Sequence, residues 1–171
     1  MKKQILDKLE VGRPGVAEIK LTYSTEVPPE DRRAVVSPDD LHEVLREWWD
    51  ADSIELYETF VVLLLDRQNR IIGIYNHTKG GTSAVMVDCK LIMAAAINCN
   101  ASCIVLAHNH PSGSLKASAA DITATMALVT LGKLHNIPVL DHIILAPSSG
   151  YYSFATNLPE IMKGYRLEDF Y

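Results

Sequence analysis

Several things are scarce in this sequence. No apolar run is long enough to cross a bilayer, and the longest, such as Phe60 to Leu65, fall far short. Lys2-Lys3 opens the chain, but Asp7, Lys8 and Glu10 interrupt anything like the apolar core of a secretion signal, so the expected location is the cytoplasm. Cysteine is limited to Cys89, Cys99 and Cys103. The number is odd, no CxxC occurs and each lies among apolar residues, which excludes a disulfide framework or a zinc finger and predicts buried, reduced thiols. Positive charge is also short: 16 Lys and Arg stand against 21 Asp and Glu, a net charge of −5. Non-specific DNA binding runs on cations meeting phosphates, so a DNA-coating role is disfavoured, although a local basic patch stays open. Aromatic content is low at 7%, yet 48% of the residues are hydrophobic, so the chain is neither disordered nor short of core material. Repeats and low-complexity segments are absent.

What is present suits one domain with a full core in 171 residues. The informative stretch is His108-Asn109-His110-Pro111-Ser112-Gly113, continuing through Ser114-Leu115-Lys116-Ala117 to Ser118-Ala119-Ala120-Asp121. Ala101 to Ala107 ahead of it reads as a buried strand, so His108 and His110 project from one face. Pro111 stops the ladder and Ser112-Gly113-Ser114 turns the chain. Ser118 and Asp121 sit together at the start of a helix over Ile122 to Leu134. Two imidazoles facing a carboxylate form a three-ligand site of the kind Zn²⁺ accepts, leaving one position for water. Ser118-Ala119-Ala120-Asp121 is equally a helix capping box, which needs no chemistry.

His108-x-His110, seven residues, Ser118, two residues, Asp121 resembles the signature of the JAB/MPN (JAMM) metallopeptidases. The strings His108 to Gly113, Asp121-Ile122-Thr123 and Leu140 to Ile144 are similar to the RadC branch of that family, and the likeness covers about Ser37 to Leu158. The resemblance implies the three-layer α/β JAB/MPN fold, similar to that of cytidine deaminases. It also implies one Zn²⁺ per chain, held by His108, His110 and Asp121, and hydrolysis of an amide, peptide or isopeptide bond. Deaminase chemistry is excluded because the H-x-E and P-C-x-x-C pieces are missing. The family's catalytic glutamate precedes a buried strand, and Glu58-Thr59-Phe60 aligns with it; Glu55 competes. Glu58 would take a proton from the attacking water, and Ser118 would donate to the oxyanion. The chain departs from the branch at Ala117, where Pro is typical, and at Cys89-Lys90, where Pro-Arg is typical. Residues 1–36 show no helix-hairpin-helix pattern, which weakens the DNA role that the branch's repair-associated name suggests. A DNA-repair-associated or nuclease-type metal protein and a non-catalytic MPN interaction module stand as alternatives.

Along the chain, 1–36 is an N-terminal extension with a strand-like alternation over Val16 to Tyr23 and a break at Pro28-Pro29-Glu30-Asp31. Residues 37–158 carry the domain and 159–171 form a tail. Ser37-Pro38 starts a helix running to about Trp49. Inside it His42-Glu43-Val44-Leu45-Arg46 misses HExxH at the fifth position, so His42 is read as a surface residue. Glu58 to Leu65 is a buried strand, and Ile71 to Tyr75 its hairpin partner. Asn76 to Ser83 reads as a polar loop carrying an exposed His77. Ala84 to Val87 reads as a strand, with a helix after it capped by Asp88 and packed through Leu91, Ile92, Ala95, Ala96 and Cys99. Val139 to Leu145 is another strand. Asp141 and His142 point to opposite faces of it, so one of them is assigned a supporting role and they do not form a dyad. Tyr151 to Phe154 is a last short strand. The tail reads as an interaction helix, and Tyr165, Phe170 and Tyr171 offer a route to homo-oligomerisation. The interleaved elements predict a three-layer domain with a mixed sheet.

Overall fold

Seven consecutive residues, Thr59–Leu65, form strand β1, and all seven are buried. So continuous a run must be covered on both faces and on both edges, which places it inside the sheet. The computed structural model describes residues 24, 26–80, 87–148 and 150–165. In it β1 lies between β2 (Ile71–Lys79) and β3 (Cys103–Asn109), antiparallel to both. β4 (Val139–Leu145) runs parallel to β3, and β5 (Tyr151–Ser153) antiparallel to β4. The order β2-β1-β3-β4-β5 is a mixed sheet. Its one parallel pair needs a crossover, and a helix supplies it.

Among the described residues four helices flank the sheet: α1 (Pro38–Trp48), α2 (Cys89–Asn98), α3 (Ala119–Leu134) and the short α4 (Phe154–Asn157). Alternation along the strands sorts the core into two layers. Val61, Leu63, Leu65, Val105 and Ala107 pack with Leu41, Val44, Leu45 and Trp49 on the α1 side. Phe60, Val62, Leu64, Ile104 and Leu106 pack with Ile92, Ala96, Leu128 and Val129 on the α2/α3 side. The three-layer α/β architecture expected from the sequence is therefore the one observed. By the same parity, His108 projects to the α2/α3 side and Asn109 to the α1 side.

The helix starts follow their caps. Ser37 Oγ accepts from Asp40 N, and Asp40 accepts from Ser37 N, with Pro38 in the first turn. Asp88 accepts from Lys90 N and Leu91 N at the start of α2. The β1–β2 turn closes on Asp66, whose Oδ1 accepts from Gln68 N and Arg70 N, with Asn69 at φ 55°. In α3, Gly132 is approached so closely by the Ile137 carbonyl that no side chain fits there.

Some expectations need correction. β2 continues to Lys79, so His77 belongs to a strand rather than to a loop. It is half-buried, not exposed, and its Nε2 accepts from Asp88 N at 2.9 Å. Leu91, expected on the packed face of α2, is exposed, and Met93 is buried instead. His42 is half-buried and stacks on Tyr151 at 4.8 Å. Cys103 is buried, but Cys89 and Cys99 are only half so; all three are free thiols. Phe154 opens α4 instead of extending the last strand. The expected tail helix is a 3-10 turn at Ile161–Lys163, with Met162 packed into the core and Tyr165 N donating to Thr130 Oγ1. Pro29–Asp31 forms a second 3-10 turn. The strand-like stretch Val16 to Tyr23, residues 84–86 of the expected Ala84 to Val87 strand, and Phe170 and Tyr171 lie outside the described residues.

Candidate metal centre

The site grows from the end of β3. Pairing with β1 carries the strand to His108 and pairing with β4 to Asn109, and His110 N then donates to Leu145 O at 2.9 Å before Pro111 ends the ladder. His108 is fully buried, with Phe60 stacked over it at 6.0 Å and an interplanar angle of 10°. His110, two residues on, is half-buried and turned to the same side, its Nδ1 donating to Ser114 O at 2.8 Å. Gly113, at φ 77°, makes the turn that brings Ser114 round.

α3 supplies the carboxylate. Ser118 Oγ accepts from Asp121 N at 3.2 Å, and Asp121 Oδ2 accepts from Ser118 N at 2.7 Å. The capping box and a place beside the histidines are thus not alternatives: the box aims the Asp121 carboxylate at them. His108 Nε2 lies 3.3 Å from Asp121 Oδ1, His110 Nε2 lies 3.6 Å from Asp121 Oδ2, and the two Nε2 atoms are 2.9 Å apart. Four donors at zinc bond lengths of 2.0–2.1 Å on a tetrahedron stand about 3.3 Å from one another. Among the described residues these three side chains form a group whose ligand atoms all lie within 4.8 Å. Two nitrogens and a carboxylate oxygen at such spacings fit zinc in type, number and size.

The electrostatics agree. Burial pushes the Asp121 carboxyl upward, but hydrogen bonds to His108 and His110 outweigh it and hold the group well below the usual carboxylate range. The Asp121 hydrogen bond raises His110 above its ordinary value, with a further push from the Glu58 charge.

Glu58 is half-buried at the entry of β1. Phe60 pairs with His108, and Glu58 lies two residues before Phe60, near enough for its charge to act on His110. Glu55 is exposed in the preceding turn. The segment carrying Glu58 is held by Asn109, the residue between the two histidines. Its Nδ2 donates to Ile54 O at 2.7 Å and to Tyr57 O at 3.0 Å, and its Oδ1 accepts from Thr59 N at 2.7 Å. Ser118 is exposed beside the group, and its hydroxyl hydrogen is not used by the cap.

Asp141 and His142 do point apart. Asp141 is buried on the α1 side and accepts from His142 N, Ser153 Oγ and Ala155 N, tying β4 to β5 and α4. Burial pushes its carboxyl up. His142 faces the site, with its Nε2 2.8 Å from His108 Nδ1 and its Nδ1 2.6 Å from Thr125 Oγ1. Burial drives its pKa well down. Thr125 was not singled out from the sequence; its spacing of four from Asp121 on a helix was the available signal. A concavity of about 1480 Å³ lies away from this chemistry, among Arg32, Arg67, Arg70, Asn100 and Asn136. Among the described residues no helix is long and apolar enough to cross a membrane.

Residues 35–159 match the model of a family described as the RadC-like JAB domain. The chain is 34% identical over 146 residues to a UPF0758 protein of Delftia acidovorans, covering 85% of this chain and 59% of that protein. It is 34% identical over 139 residues to one of Syntrophomonas wolfei, 80% and 54% of the two chains. It is 40% identical over 98 residues to one of Porphyromonas gingivalis, 57% and 43% of the two. The chain thus spans about half the length of these relatives.

Proposed function

Taking as premise that the chain belongs to the RadC-like JAB domain family, we propose that it is a zinc-dependent hydrolase of the JAMM type acting on an amide, peptide or isopeptide bond. The observation that carries this reading is the His108–His110–Asp121 group at tetrahedral spacing, with the Glu58 charge acting on His110 from the entry of β1. Zinc bound there supplies a Lewis acid and brings the pKa of a water to about 7. The remaining work falls to the chain. Glu58 accepts the proton of the attacking water and delivers it to the departing amine. Ser118 Oγ accepts from its own helix and keeps its hydrogen for the oxyanion that develops at the carbonyl. Buried His108 and half-buried Asp121 shield one side of the site, while half-buried His110 and exposed Ser118 leave the other open to an extended substrate. Free thiols at Cys89, Cys99 and Cys103 suit a reducing compartment such as the cytoplasm.

The test is metal analysis of the purified chain together with a screen of peptide and isopeptide substrates. The expected result is one zinc per chain, lost in the His108→Ala/His110→Ala protein, and hydrolysis lost in Glu58→Gln while its zinc is kept. Stoichiometric zinc in the double variant refutes the ligand assignment. Zinc without hydrolysis of any substrate favours an interaction module instead.

A further inference from the structure

The concavity away from the ligand group has two unlike walls. One is made by Arg32 together with Arg67 and Arg70 of the β1–β2 turn. The other is made by the C-terminal ends of α2 and α3, at Asn100, His135 and Asn136. The groove takes in Cys103, the first residue of β3, whereas His108 lies five residues further on, about 17 Å along a strand. The first wall sets three guanidiniums against one carboxylate, Asp66. That carboxylate is already engaged: Oδ1 accepts from Gln68 N and Arg70 N, and Oδ2 accepts from Arg70 Nε at 3.1 Å. Arg32 reaches it only at 3.7 Å, beyond hydrogen-bond range. The Arg32 side chain is 12% exposed, and its Nε is buried without a hydrogen-bond partner. Arg67 is exposed and pairs with no acid among the described residues. A guanidinium so far withdrawn from water, with donors unused, is costly until an oxyanion completes it.

We propose that this groove is a docking site for an acidic peptide segment of a partner protein, with its carboxylates on Arg32 and Arg67 and its apolar side chains on Ile97 and Leu140. Guanidiniums meet carboxylates as a two-pronged fork, which suits Arg32 with its unused donors. Ile97 and Leu140 are large apolar residues exposed in the same groove. The side-chain amides of Gln68, Asn100 and Asn136 make no hydrogen bond among the described residues and can pair with a peptide backbone. At about 1480 Å³ the groove exceeds the roughly 300–1,000 Å³ of small-molecule pockets, so a stretch of polymer fits it better. Nucleic acid is the poorer match. No Phe, Tyr or Trp lines the groove to stack a base. The ends of α2 and α3 also bring partial negative charge to one wall, against a uniformly anionic strand. A peptide offers N–H groups to that wall and carboxylates to the other. None of His108, His110 and Asp121 lines the groove, so the proposal stands apart from the zinc reading.

The experiment selects peptides from a random dodecapeptide phage library on the full chain, then measures binding of the selected peptides, labelled with fluorescein, by anisotropy. The expected result is enrichment of sequences that combine Asp or Glu with apolar residues, and binding that weakens as salt is raised. Arg32→Gln and Arg67→Glu are each expected to weaken that binding about 10-fold or more. Both variants should fold, which urea unfolding checks: Asp66 keeps its hydrogen bonds to the turn in the first, and an exposed, unpaired side chain changes in the second. The His108→Ala/His110→Ala protein is expected to bind the peptides as wild type does, which separates this site from the metal centre. A selection that enriches no acidic peptides, or acidic peptides that bind the folded arginine variants as tightly as wild type, overturns the proposal. Labelled oligothymidine that binds more tightly than the selected peptides, and is lost in the same variants, overturns it in favour of a nucleic-acid strand.

Discussion

Replacing Asn109 by Asp alters one atom of a fully buried side chain and tests how the Glu58 segment is held. Asn109 Nδ2 serves two carbonyls, Ile54 O and Tyr57 O, and Oδ1 serves Thr59 N. An aspartate keeps only the last of these. If it ionises, two buried carbonyls lose their donors and face a charge; unsatisfied groups cost about 1–3 kcal/mol each, so about 2–6 kcal/mol is lost. If it stays protonated, it still donates to one carbonyl, but holding its pKa from about 3.9 to above 7 takes about three units at about 1.4 kcal/mol each. Either route at neutral pH therefore costs about 2–6 kcal/mol, a large share of the roughly 5–15 kcal/mol that holds a typical domain folded. The sign with pH follows. A carboxyl whose folded pKa is raised contributes its stability below the unfolded value and loses it as pH rises. The deficit should be smallest near about pH 4 and grow above it. Urea unfolding followed by the fluorescence of Trp48 and Trp49 in metal-free protein at several pH values measures it. A deficit below about 1 kcal/mol that does not change with pH refutes the hydrogen-bond account.

Three further outcomes are expected. Ser118→Ala should cost about 1 kcal/mol of stability through the lost cap, and kcat should fall about 100-fold or more if the hydroxyl also serves the oxyanion; unfolding and single-turnover kinetics on one preparation separate the two. Gly132→Ala should destabilise by about 1–3 kcal/mol, because its Cβ meets the Ile137 carbonyl; unchanged thermal unfolding would show that the α3–β4 connection yields freely. Metal-free protein should lose stability as pH falls below about 6.5, because burial keeps His42, His77 and His142 below their ordinary value while the unfolded chain protonates freely. His110, raised by Asp121, acts with the opposite sign, so His110→Gln should steepen the slope and His42→Gln should flatten it.

The convergence of His108, His110 and Asp121 was legible because its rules are local. A period of two puts His108 and His110 on one face, and a capping spacing sets Asp121 beside Ser118. The buried run of β1 and the caps at Ser37 and Asp88 were legible on the same grounds. Glu58 needed more, since alone it looks like a solvated strand end, and only the family likeness singled it out. His142 and Thr125 could not be assigned from local pattern. Their meeting depends on the parallel register of β3 and β4 and on how α3 lies across them, neither of which any single segment encodes. In the tail a helix was expected, whereas its described part is a 3-10 turn at Ile161–Lys163 whose Met162 packs against the core. β2 ran past its expected end because Asn76, Thr78 and Lys79 still find partners on β1, and pairing overrode polar composition.

His108, His110 and Asp121 ride on one uninterrupted strand–loop–helix stretch, whereas Glu58 arrives from a different hairpin. On the proposed reading, cation capture would rest on that single block and proton handling on a separate segment. Replacing Glu58 would then spare the ion and stop the hydrolysis, whereas losing the ion would take a change inside the block itself.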